Sequence, residues 1–549
     1  MNFAPTVPAV ALALMCAFAT ARADDGMPGR PNVLLIVADD LGFSDLGCYG
    51  GEISTPNLDT LATEGVRLTR FYTTGRCCPS RASILTGLYP HRAGLGHMVK
   101  DLGLPGYRGR PAADAVTIGE ALQAAGYRTF MSGKWHLGTD DPTRRGFEEF
   151  YGTLVSAHTF WEPAHYRRMP AGRVARSYAG GTFYGTDALT DHAIDFMNLA
   201  RETPAKPWFL YLAYNAPHFP LHAPAADIAR HQEEYAVGWD VIRERRHNRM
   251  IELGIAPPDT ALTPRSPYTN WAEALHADNP AWDTVAENRR LDLARRMAIY
   301  AAMIDVMDRN IGRVIADLAT HGELDNTLIV FVSDNGACAE WDPHGFDIRT
   351  GPENILHEGA DIERMGGPDT YHSVGSGWAN ASNTPWRLYK HYNHEGGISS
   401  PCIVRWPARL NRASAIDDRP GHLIDLMPTV LEAVNAEYPA SFNGRATAPL
   451  AGVSLLPLLR GEPVGSRSIF FEHEGNRAVA DGRWKLSALK DGDWELYDLE
   501  NDRTELVDHA AAHPEVVKRL SGDWEAWAAA NFVTPAPDDF QVPYLKPSR

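Results

Sequence analysis

The sequence predicts an α/β fold, in which a large mixed, mostly parallel sheet is sandwiched by helices and a smaller C-terminal α+β domain carries a short antiparallel sheet. Three continuous apolar runs, at residues 32–38, 207–214 and 327–333, are typical of strands that are covered on both faces. Helical segments alternate with these runs, which favours parallel pairing. Beyond about residue 455 the chain changes to short, closely spaced strands, and this change indicates a second domain.

The first strand, residues 32–38, stops at the acidic pair Asp39 and Asp40. A helix follows, with Pro56 at its first position and Gly65 at its end. Pro is favoured at the start of a helix because the amide hydrogen that it lacks has no intrahelical partner there.

The next helix and strand are predicted from a capping box. Thr117 and Glu120 have the spacing of this motif, which satisfies two backbone amides at a helix start. A strand over residues 127–132 then leads into Lys134 and His136.

Two later strands also end at polar residues. The strand at residues 207–214 runs towards His218, and a long helix over residues 291–318 precedes the strand at 327–333, which ends at Asp334. In sheets of this kind the ligand crevice lies outside the carboxyl ends of the strands. We therefore expect the acids, amides and histidines at these ends to converge on one site.

The rest of the chain is divided by composition. A charged, Pro-rich helical stretch at about residues 225–280 interrupts the main domain as an insertion. The predicted division is a signal peptide at 1–23, a main domain at 24–454 and the C-terminal α+β subdomain at 455–549. Further elements are predicted in the last third, namely strands at 401–406, 468–472, 483–489 and 494–499 and helices at 423–434 and 514–529.

The N-terminus has the pattern of a secretory signal. No Asp or Glu occurs before residue 24, residues 9–19 are an unbroken apolar run, and Ala21-Arg22-Ala23 forms an A-x-A cleavage site. An apolar run of this length is too short to cross a bilayer. We expect an exported protein, periplasmic or secreted, without a membrane span.

Charge and cysteine content exclude several classes of protein. The 52 Lys and Arg against 69 Asp and Glu give a formal net charge of −17, which argues against bulk binding to nucleic acid or anionic membranes. Any anionic substrate must therefore meet a local positive site. The cysteines are sparse and show no Cys/His spacing typical of zinc, so neither a disulfide framework nor a zinc site is indicated.

The most specific motif spans residues 77–87, with the sequence CCPSRASILTG. It resembles the sulfatase signature C-x-P-S-R-x-x-x-L-T-G at every defined position. Further blocks resemble the bacterial arylsulfatases in the same order along the chain, from about residue 32 to about residue 505: ADDLGFSDLG, TPNLDTLATEG, GKWHLG, APHFPLHAP, SDNGA, RLYK with EGGI, and WELYDLENDRTE.

This resemblance to the type I, formylglycine-dependent sulfatases implies a fold, a modified residue and a metal. The fold is that of the alkaline phosphatase-like superfamily, which makes residues 24–454 the catalytic domain. A formylglycine-generating or an anaerobic sulfatase-maturating enzyme would oxidise Cys77 to Cα-formylglycine. The implied metal ligands are the modified Cys77, Asp39, Asp40, Asp334 and Asn335.

The residue types support the metal assignment independently. The three aspartates and Asn335 are all oxygen donors, which suits Ca²⁺, with Mg²⁺ as the alternative, and does not suit zinc. Arg81, Lys134 and Lys390 are the cations that the motifs place around the nucleophile, and Lys390 is identified by the K-x-x-x-x-E-G-G pattern. Together with a divalent cation these charges leave about +2 for a sulfate ester anion.

The resemblance also implies a mechanism. One hydroxyl of the hydrated formylglycine attacks sulfur, and the second then loses its proton to expel sulfate as the aldehyde reforms. His218 would protonate the leaving oxygen, and His136 would assist the elimination. Lys134 and Lys390 would bind the sulfate oxygens.

The expected activity is hydrolysis of sulfate monoesters, with aryl sulfates preferred and alkyl or glycan sulfates left open. Two alternatives remain at this level. One is a phosphonate or phosphate ester hydrolase of the same superfamily, which the cysteine and the all-oxygen ligand set disfavour. The other is a catalytically silent, exported binding protein. Loss of Arg81, Lys134 or either histidine would favour that alternative, and all are present.

Overall fold

The computed structural model describes Met1 and residues 29–155, 158–269, 275–340 and 342–536. The predicted signal peptide at 1–23, apart from Met1, lies outside the described residues. The described strands are β1 (Asn32–Asp39), β2 (Val66–Tyr72), β3 (Arg128–Lys134), β4 (Glu149–Thr153), β5 (Arg167–Met169), β6 (Trp208–Pro217), β7 (Pro267–Thr269), β8 (Leu275–Asp278), β9 (Thr327–Ser333), β10 (Ser399–Arg405), β11 (Ala415–Asp417), β12 (Gly421–His422), β13 (Ser441–Phe442), β14 (Arg445–Ala446), β15 (Ser468–His473), β16 (Asn476–Asp481), β17 (Trp484–Ala488) and β18 (Glu495–Asp498).

Helices cover the sheet and fill the connections between its strands. They are α1 (Pro56–Glu64), α2 (Cys77–Thr86), α3 (Ile118–Ala124), α4 (Gly185–Arg201), α5 (Ala225–His231), α6 (Trp239–Glu252), α7 (Glu287–Thr320), α8 (Ala360–Arg364), α9 (Ser376–Ser382), α10 (Glu395–Ile398), α11 (Leu426–Ala433), α12 (Leu456–Leu459) and α13 (Pro514–Ala530).

Ten strands form one mixed sheet in the order β11-β2-β10-β9-β1-β6-β3-β4-β5, with β12 beside β2. The four central strands β9, β1, β6 and β3 are mutually parallel, whereas β10 runs antiparallel to both β9 and β2. The carboxyl ends of the four parallel strands consequently meet at one edge of the sheet. The prediction of a large, mostly parallel sheet between helices is confirmed.

The sheet is buried on both faces, as its apolar strands require. Along β1, Leu34 and Ile36 join the core beneath α1, α4 and α7, whereas Val33 and Leu35 join the core beneath α2, α3 and α11. Because successive side chains of a strand point to opposite faces, one continuous apolar run supplies both cores. This packing fixes the strand ends relative to α2.

The predicted insertion at about residues 225–280 and the C-terminal region lie outside the central strands. Helices α5 and α6 of the insertion pack against α7 and α9. The C-terminal antiparallel sheet has the order β15-β16-β17-β18, and α13 packs on it through Leu520 and Trp524. The sequence predicts three of these four strands and misses β16. The boundary near residue 455 stays a prediction.

Among the described residues, no helix is long and apolar enough to span a bilayer.

Gly133 allows β3 and β6 to approach closely just before Lys134. Its φ is 127°, and a Cβ at this position would lie 1.8 Å from the carbonyl oxygen of Ala213. Gly126 also has a positive φ, 86°, but no described atom lies within 4 Å of a Cβ built there.

We therefore expect Gly133→Ala to lower the free energy of unfolding by at least about 3 kcal/mol, because backbone strain and overpacking add. Gly126→Ala should cost only the left-handed backbone penalty of about 1–2 kcal/mol. Urea unfolding of both variants measures the difference. Equal losses would contradict this description of the β3–β6 contact.

Candidate active site

The acidic pair at the end of β1 is positioned by a change in strand register. Val37 pairs with Ala213 of β6, but Asp39 pairs with Pro217 after an irregularity in the ladder. Asp40 then adopts a left-handed backbone with φ 66°. This conformation is uncommon outside glycine and is found mainly where surrounding structure enforces it. It directs two consecutive carboxylates into the same buried region.

Cys77 is the first residue of α2, and every residue of this helix is buried. Arg81 follows one turn later on the same helix. It donates from Nε to Asp334 Oδ2 at 3.0 Å and from Nη1 to the carbonyl oxygen of Lys134 at 2.8 Å. The helix therefore connects Cys77 directly to the ends of β9 and β3.

Three buried carboxylates face three buried cations. Lys134 Nζ lies 2.5 Å from Asp39 Oδ2, and Lys390 Nζ lies 2.9 Å from Asp40 Oδ2. The third pair, Arg81 Nη2 with Asp334 Oδ2, is separated by 2.8 Å. These charges balance one to one, so a bound divalent cation would leave the cluster positive by about two charges.

Ion pairing offsets part of the cost of burying these charges. Burial raises the pKa of Asp39, but Lys134, His218 and Arg81 together hold it well below its ordinary value. Burial and the neighbouring Asp39 raise the pKa of Asp334 well above its ordinary value, despite the opposing charge of Arg81. A further cation among these carboxylates would relieve that repulsion.

Two oxygens of the cluster lack a hydrogen-bond partner among the described residues. They are Asp39 Oδ1 and Asn335 Oδ1, and both are buried. Asn335 donates from Nδ2 to Asp40 Oδ1 at 2.6 Å, which leaves its own oxygen directed elsewhere. Unsatisfied buried oxygens are costly. Their presence beside two further carboxylates fits a hard, oxygen-bound divalent cation such as Ca²⁺ or Mg²⁺.

Two histidines border the carboxylate cluster. His218 donates from Nδ1 to the carbonyl oxygen of Phe219 at 2.6 Å, and its Nε2 lies 3.4 Å from Asp40 Oδ2. His136 has a left-handed backbone with φ 53°, and burial together with the charge of Lys134 lowers its pKa to about 4. His136 is therefore a neutral ring at pH 7.

Cys77 has the properties of an activated thiol. A hydrogen bond from Cys78 lowers its pKa, and although burial opposes this effect, the charge of Lys134 and a hydrogen bond with His136 add to it. The result is a pKa well below the ordinary value. Ligand atoms of Cys77, Cys78 and His136 all lie within 4.8 Å of one another.

The structure brings all of the sequence-predicted site residues to one buried region at the carboxyl ends of β1, β3, β6 and β9. Each is at most 3% exposed. They are Asp39, Asp40, Cys77, Arg81, Lys134, His136, His218, Asp334, Asn335 and Lys390.

Other residues of the site were missed by sequence reasoning. Glu340 lies 3.6 Å from Lys390 Nζ and 3.3 Å from His391 Nε2. The ring of Phe219 is tilted by 41° against that of His218, with centroids 4.1 Å apart, and it contacts Phe346 edge to face at 4.9 Å. Phe219 lies in the APHFPLHAP block next to His218, which was its only signal, whereas Glu340 and Phe346 belong to no spacing pattern.

A buried cluster of carboxylates and cations beside an activated thiol and two histidines, at the carboxyl edge of an α/β sheet, defines a hydrolase of charged esters. A model of the sulfatase family matches residues 31–436. A second model, of the C-terminal part of N-sulphoglucosamine sulphohydrolase, matches residues 385–526.

Several known proteins are similar over most of their length. An uncharacterized sulfatase of Schizosaccharomyces pombe is 35% identical, covering 95% of this chain and 98% of the relative. An arylsulfatase of Klebsiella aerogenes is 33% identical, covering 78% and 91% of the two chains. Mouse steryl-sulfatase is 31% identical, covering 83% and 69%. The chain therefore belongs to the sulfatase family.

Solved structures agree with this assignment. The crystal structure of Ps i-CgsB in complex with k-i-k-neocarrahexaose has 25% identity and a TM-score of 0.64, covering 93% of this chain and 95% of that one. A phosphonate monoester hydrolase of Agrobacterium radiobacter, with 20% identity, a TM-score of 0.54 and coverage of 91% and 96%, shares the fold. The protein is a type I sulfatase of the alkaline phosphatase-like superfamily, and hence a sulfuric ester hydrolase.

The lowered pKa of Cys77 predicts an unusually weak pH dependence of its reactivity, in protein in which the Cys77 thiol is unmodified. Below its pKa of about 8.5, an ordinary thiol reacts roughly tenfold faster for each unit by which the pH is raised. The alkylation rate of Cys77 by iodoacetamide should instead change less than about twofold between pH 7 and 9. Peptide mass spectrometry measures the rate, and Cys402, whose pKa burial raises, is the internal comparison. A steep rise for Cys77 above pH 7 would contradict the thiolate assignment.

Proposed function

We propose that this protein hydrolyses aryl sulfate monoesters, with a formylglycine made from Cys77 and a Ca²⁺ ion, after export to the periplasm or the medium. The observation that carries the proposal is the position of Cys77. It begins α2 inside the same buried cluster as three carboxylates and three cations. A sulfate ester entering this cluster would meet residue 77 and the positive charges together.

Asp39, Asp40, Asp334 and Asn335 would hold the ion, with residue 77 beside it. The unpartnered oxygens of Asp39 and Asn335 support this assignment. A bound Ca²⁺ supplies Lewis acidity and charge, and Mg²⁺ is the alternative occupant. A hydrated formylglycine supplies two hydroxyl groups on one carbon, one for attack on sulfur and one for release of sulfate.

The cations of the chain would bind the sulfate group. Lys134 and Lys390 are buried and hold their Nζ atoms against the carboxylates of Asp39 and Asp40. Burial opposes the charged form of Lys390, but Asp40 and its other anionic neighbours raise its pKa well above the ordinary value. It therefore stays charged at any physiological pH. Preorganised charges of this kind stabilise the charge that develops in the transition state.

The two histidines would have opposite roles in proton transfer, with His218 as the donor and His136 as the acceptor. Because Nδ1 of His218 donates to the Phe219 carbonyl, its Nε2 carries a proton only in the imidazolium form, and this proton can pass to the leaving oxygen. His136, with a pKa lowered to about 4 by burial, is neutral and can accept a proton from residue 77. The hydrogen bond of His218 and the lowered pKa of His136 thus suit them to the roles of acid and base, respectively.

The aryl preference rests on the surroundings of His218. Phe219 is in contact with this histidine, and Phe346 and Tyr371 continue an aromatic surface behind it, with 4.9 Å between the rings of Phe219 and Phe346 and 6.0 Å between those of Phe346 and Tyr371. A flat apolar leaving group would pack well there. Relatives named arylsulfatase and steryl-sulfatase support the same preference.

The alternatives have less support. The all-oxygen ligand set and Cys77 disfavour a two-zinc phosphatase. Hydrolysis of phosphonate or phosphate esters would be a side activity. A silent binding protein would not require Arg81, Lys134 and both histidines together. Export at residues 1–23 and modification of Cys77 by a maturating enzyme are parts of the same proposal.

Mass spectrometry tests the modification. The tryptic peptide that begins at Cys77 should have the lower mass of a formylglycine peptide, and the wild-type enzyme should hydrolyse a chromogenic aryl sulfate. Cys77→Ala should reduce turnover more than about 10³-fold because the nucleophile is lost, while circular dichroism stays unchanged. Full activity with an intact Cys77 thiol would refute the mechanism.

Chelation tests the metal. Saturation with Ca²⁺ at about 100 times its Kd should add about 2.7 kcal/mol of stability, so EGTA should lower the thermal midpoint and added Ca²⁺ or Mg²⁺ should restore it. Asn335→Ala should lose most of this response. Glu149→Gln, a buried carboxylate at the amino end of β4, is the matched control and should keep it. A midpoint that neither EGTA nor EDTA, which also removes Mg²⁺, changes would exclude the proposed site.

A further inference from the structure

The turn between β15 and β16 brings the C-terminal sheet to the edge of the active site. Glu474 occupies this turn with φ 55° and is fully buried. Gly475 follows, and its φ is 89°. Two consecutive left-handed residues make a sharp reversal that directs the Glu474 carboxylate towards the catalytic domain.

Glu474 is surrounded by basic groups from three separate segments. Its Oε1 is ion-paired with Arg76 and lies 3.0 Å from His97 Nε2. Its Oε2 lies 2.9 Å from His391 Nδ1, and its own neighbour His473 approaches Oε1 at 3.4 Å. One carboxylate therefore joins four basic side chains.

Two of these partners are chain neighbours of the active site. Arg76 is the residue before Cys77 and the N-cap of α2. His391 follows Lys390, and its other ring nitrogen lies 3.3 Å from Glu340, which is itself 3.6 Å from Lys390 Nζ. Glu474 thus contacts both the segment that carries the nucleophile and the loop that carries a sulfate-binding lysine.

We propose that Glu474 is a positioning residue of the sulfatase reaction, through which the C-terminal sheet holds Lys390 and the start of α2 in their catalytic geometry. This inference rests on the function proposed above. Glu474 acts through Arg76, His391 and Glu340 and need not touch the substrate. The catalytic site is then completed by the smaller domain.

The negative charge of Glu474 is essential to this role. A carboxylate accepts several hydrogen bonds at once, whereas an amide has one acceptor oxygen and would present hydrogens to at least one basic partner. Removing the charge would also break the ion pair between Glu474 and the largely buried Arg76, and breaking a buried pair costs far more than breaking an exposed one. Burial opposes ionisation of Glu474, but Arg76, His473 and His391 hold its pKa well below the ordinary value.

A metal ion is a competing explanation for this cluster, because ligand atoms of His391, His473 and Glu474 lie within 4.8 Å of one another. The guanidinium of Arg76 already contacts Oε1 of the Glu474 carboxylate. A second cation at the same carboxylate would be repelled by this guanidinium. The positioning role therefore accounts for the arrangement better.

Glu474→Gln tests the proposal, with Glu149→Gln as the matched control. Glu149 is also a buried carboxylate with two arginine partners, Arg168 and Arg173, but it lies at the amino end of β4, away from the site. His391→Asn is the second variant, because asparagine tolerates the left-handed φ of 83° at this position but is too short to keep both contacts.

The readouts are kcat and KM for an aryl sulfate, the inhibition constant of inorganic sulfate and the thermal midpoint, with turnover normalised to the measured formylglycine content. We expect Glu474→Gln and His391→Asn to lower kcat/KM about 10- to 100-fold, the range typical of residues that orient catalytic groups. Both should weaken sulfate inhibition about tenfold, because Lys390 is misplaced. Glu149→Gln should change only the thermal midpoint.

The proposal is wrong if Glu474→Gln and His391→Asn behave like the control in kcat/KM and sulfate inhibition. It is also wrong if a chelator reproduces the effect of Glu474→Gln while Ca²⁺ is kept saturating, since that result would indicate a second metal. If the wild-type enzyme hydrolyses no sulfate ester, the proposed function fails instead. Should Glu474→Gln not fold, His391→Asn decides.

Discussion

Three buried carboxylates paired with three buried cations are the constraint on which the rest of the structure depends. Unpaired, any of these ions would be too costly to bury. The pairs Lys134–Asp39, Lys390–Asp40 and Arg81–Asp334 lie at 2.5, 2.9 and 2.8 Å. These ions can be buried only as a paired set. Because the set has no net charge by itself, a bound divalent cation would make the site positive.

The sheet topology explains why the set can form. The cluster draws on β1, β3 and β9, which belong to the parallel centre of the sheet, so their carboxyl ends are side by side without long connecting loops. Both faces of these strands are packed, which fixes α2 and the Cys77 that begins it. The antiparallel strand β10 lies next to β9 and follows the segment that carries Lys390.

The sequence predicts these features to the extent that they are local. Continuous apolar runs identify the buried strands, and motif positions identify residues such as Asp39, Cys77 and His218. β16 was missed because its residues mix polar and apolar side chains and form no continuous apolar run. Glu340 and Glu474 were missed because their partners are distant in the chain, and no spacing links a turn of the second domain to Lys390. Contacts between domains depend on the folded arrangement rather than on any local pattern.

Anomalous diffraction from crystals of the modified enzyme grown with Ca²⁺ tests the central claim most directly. We expect one strong peak at the carboxyl end of β1, about 2.3–2.6 Å from oxygens of Asp39, Asp40, Asp334 and Asn335, with residue 77 beside it. A peak coordinated by imidazole nitrogens, or no peak among the three aspartates, would contradict the account.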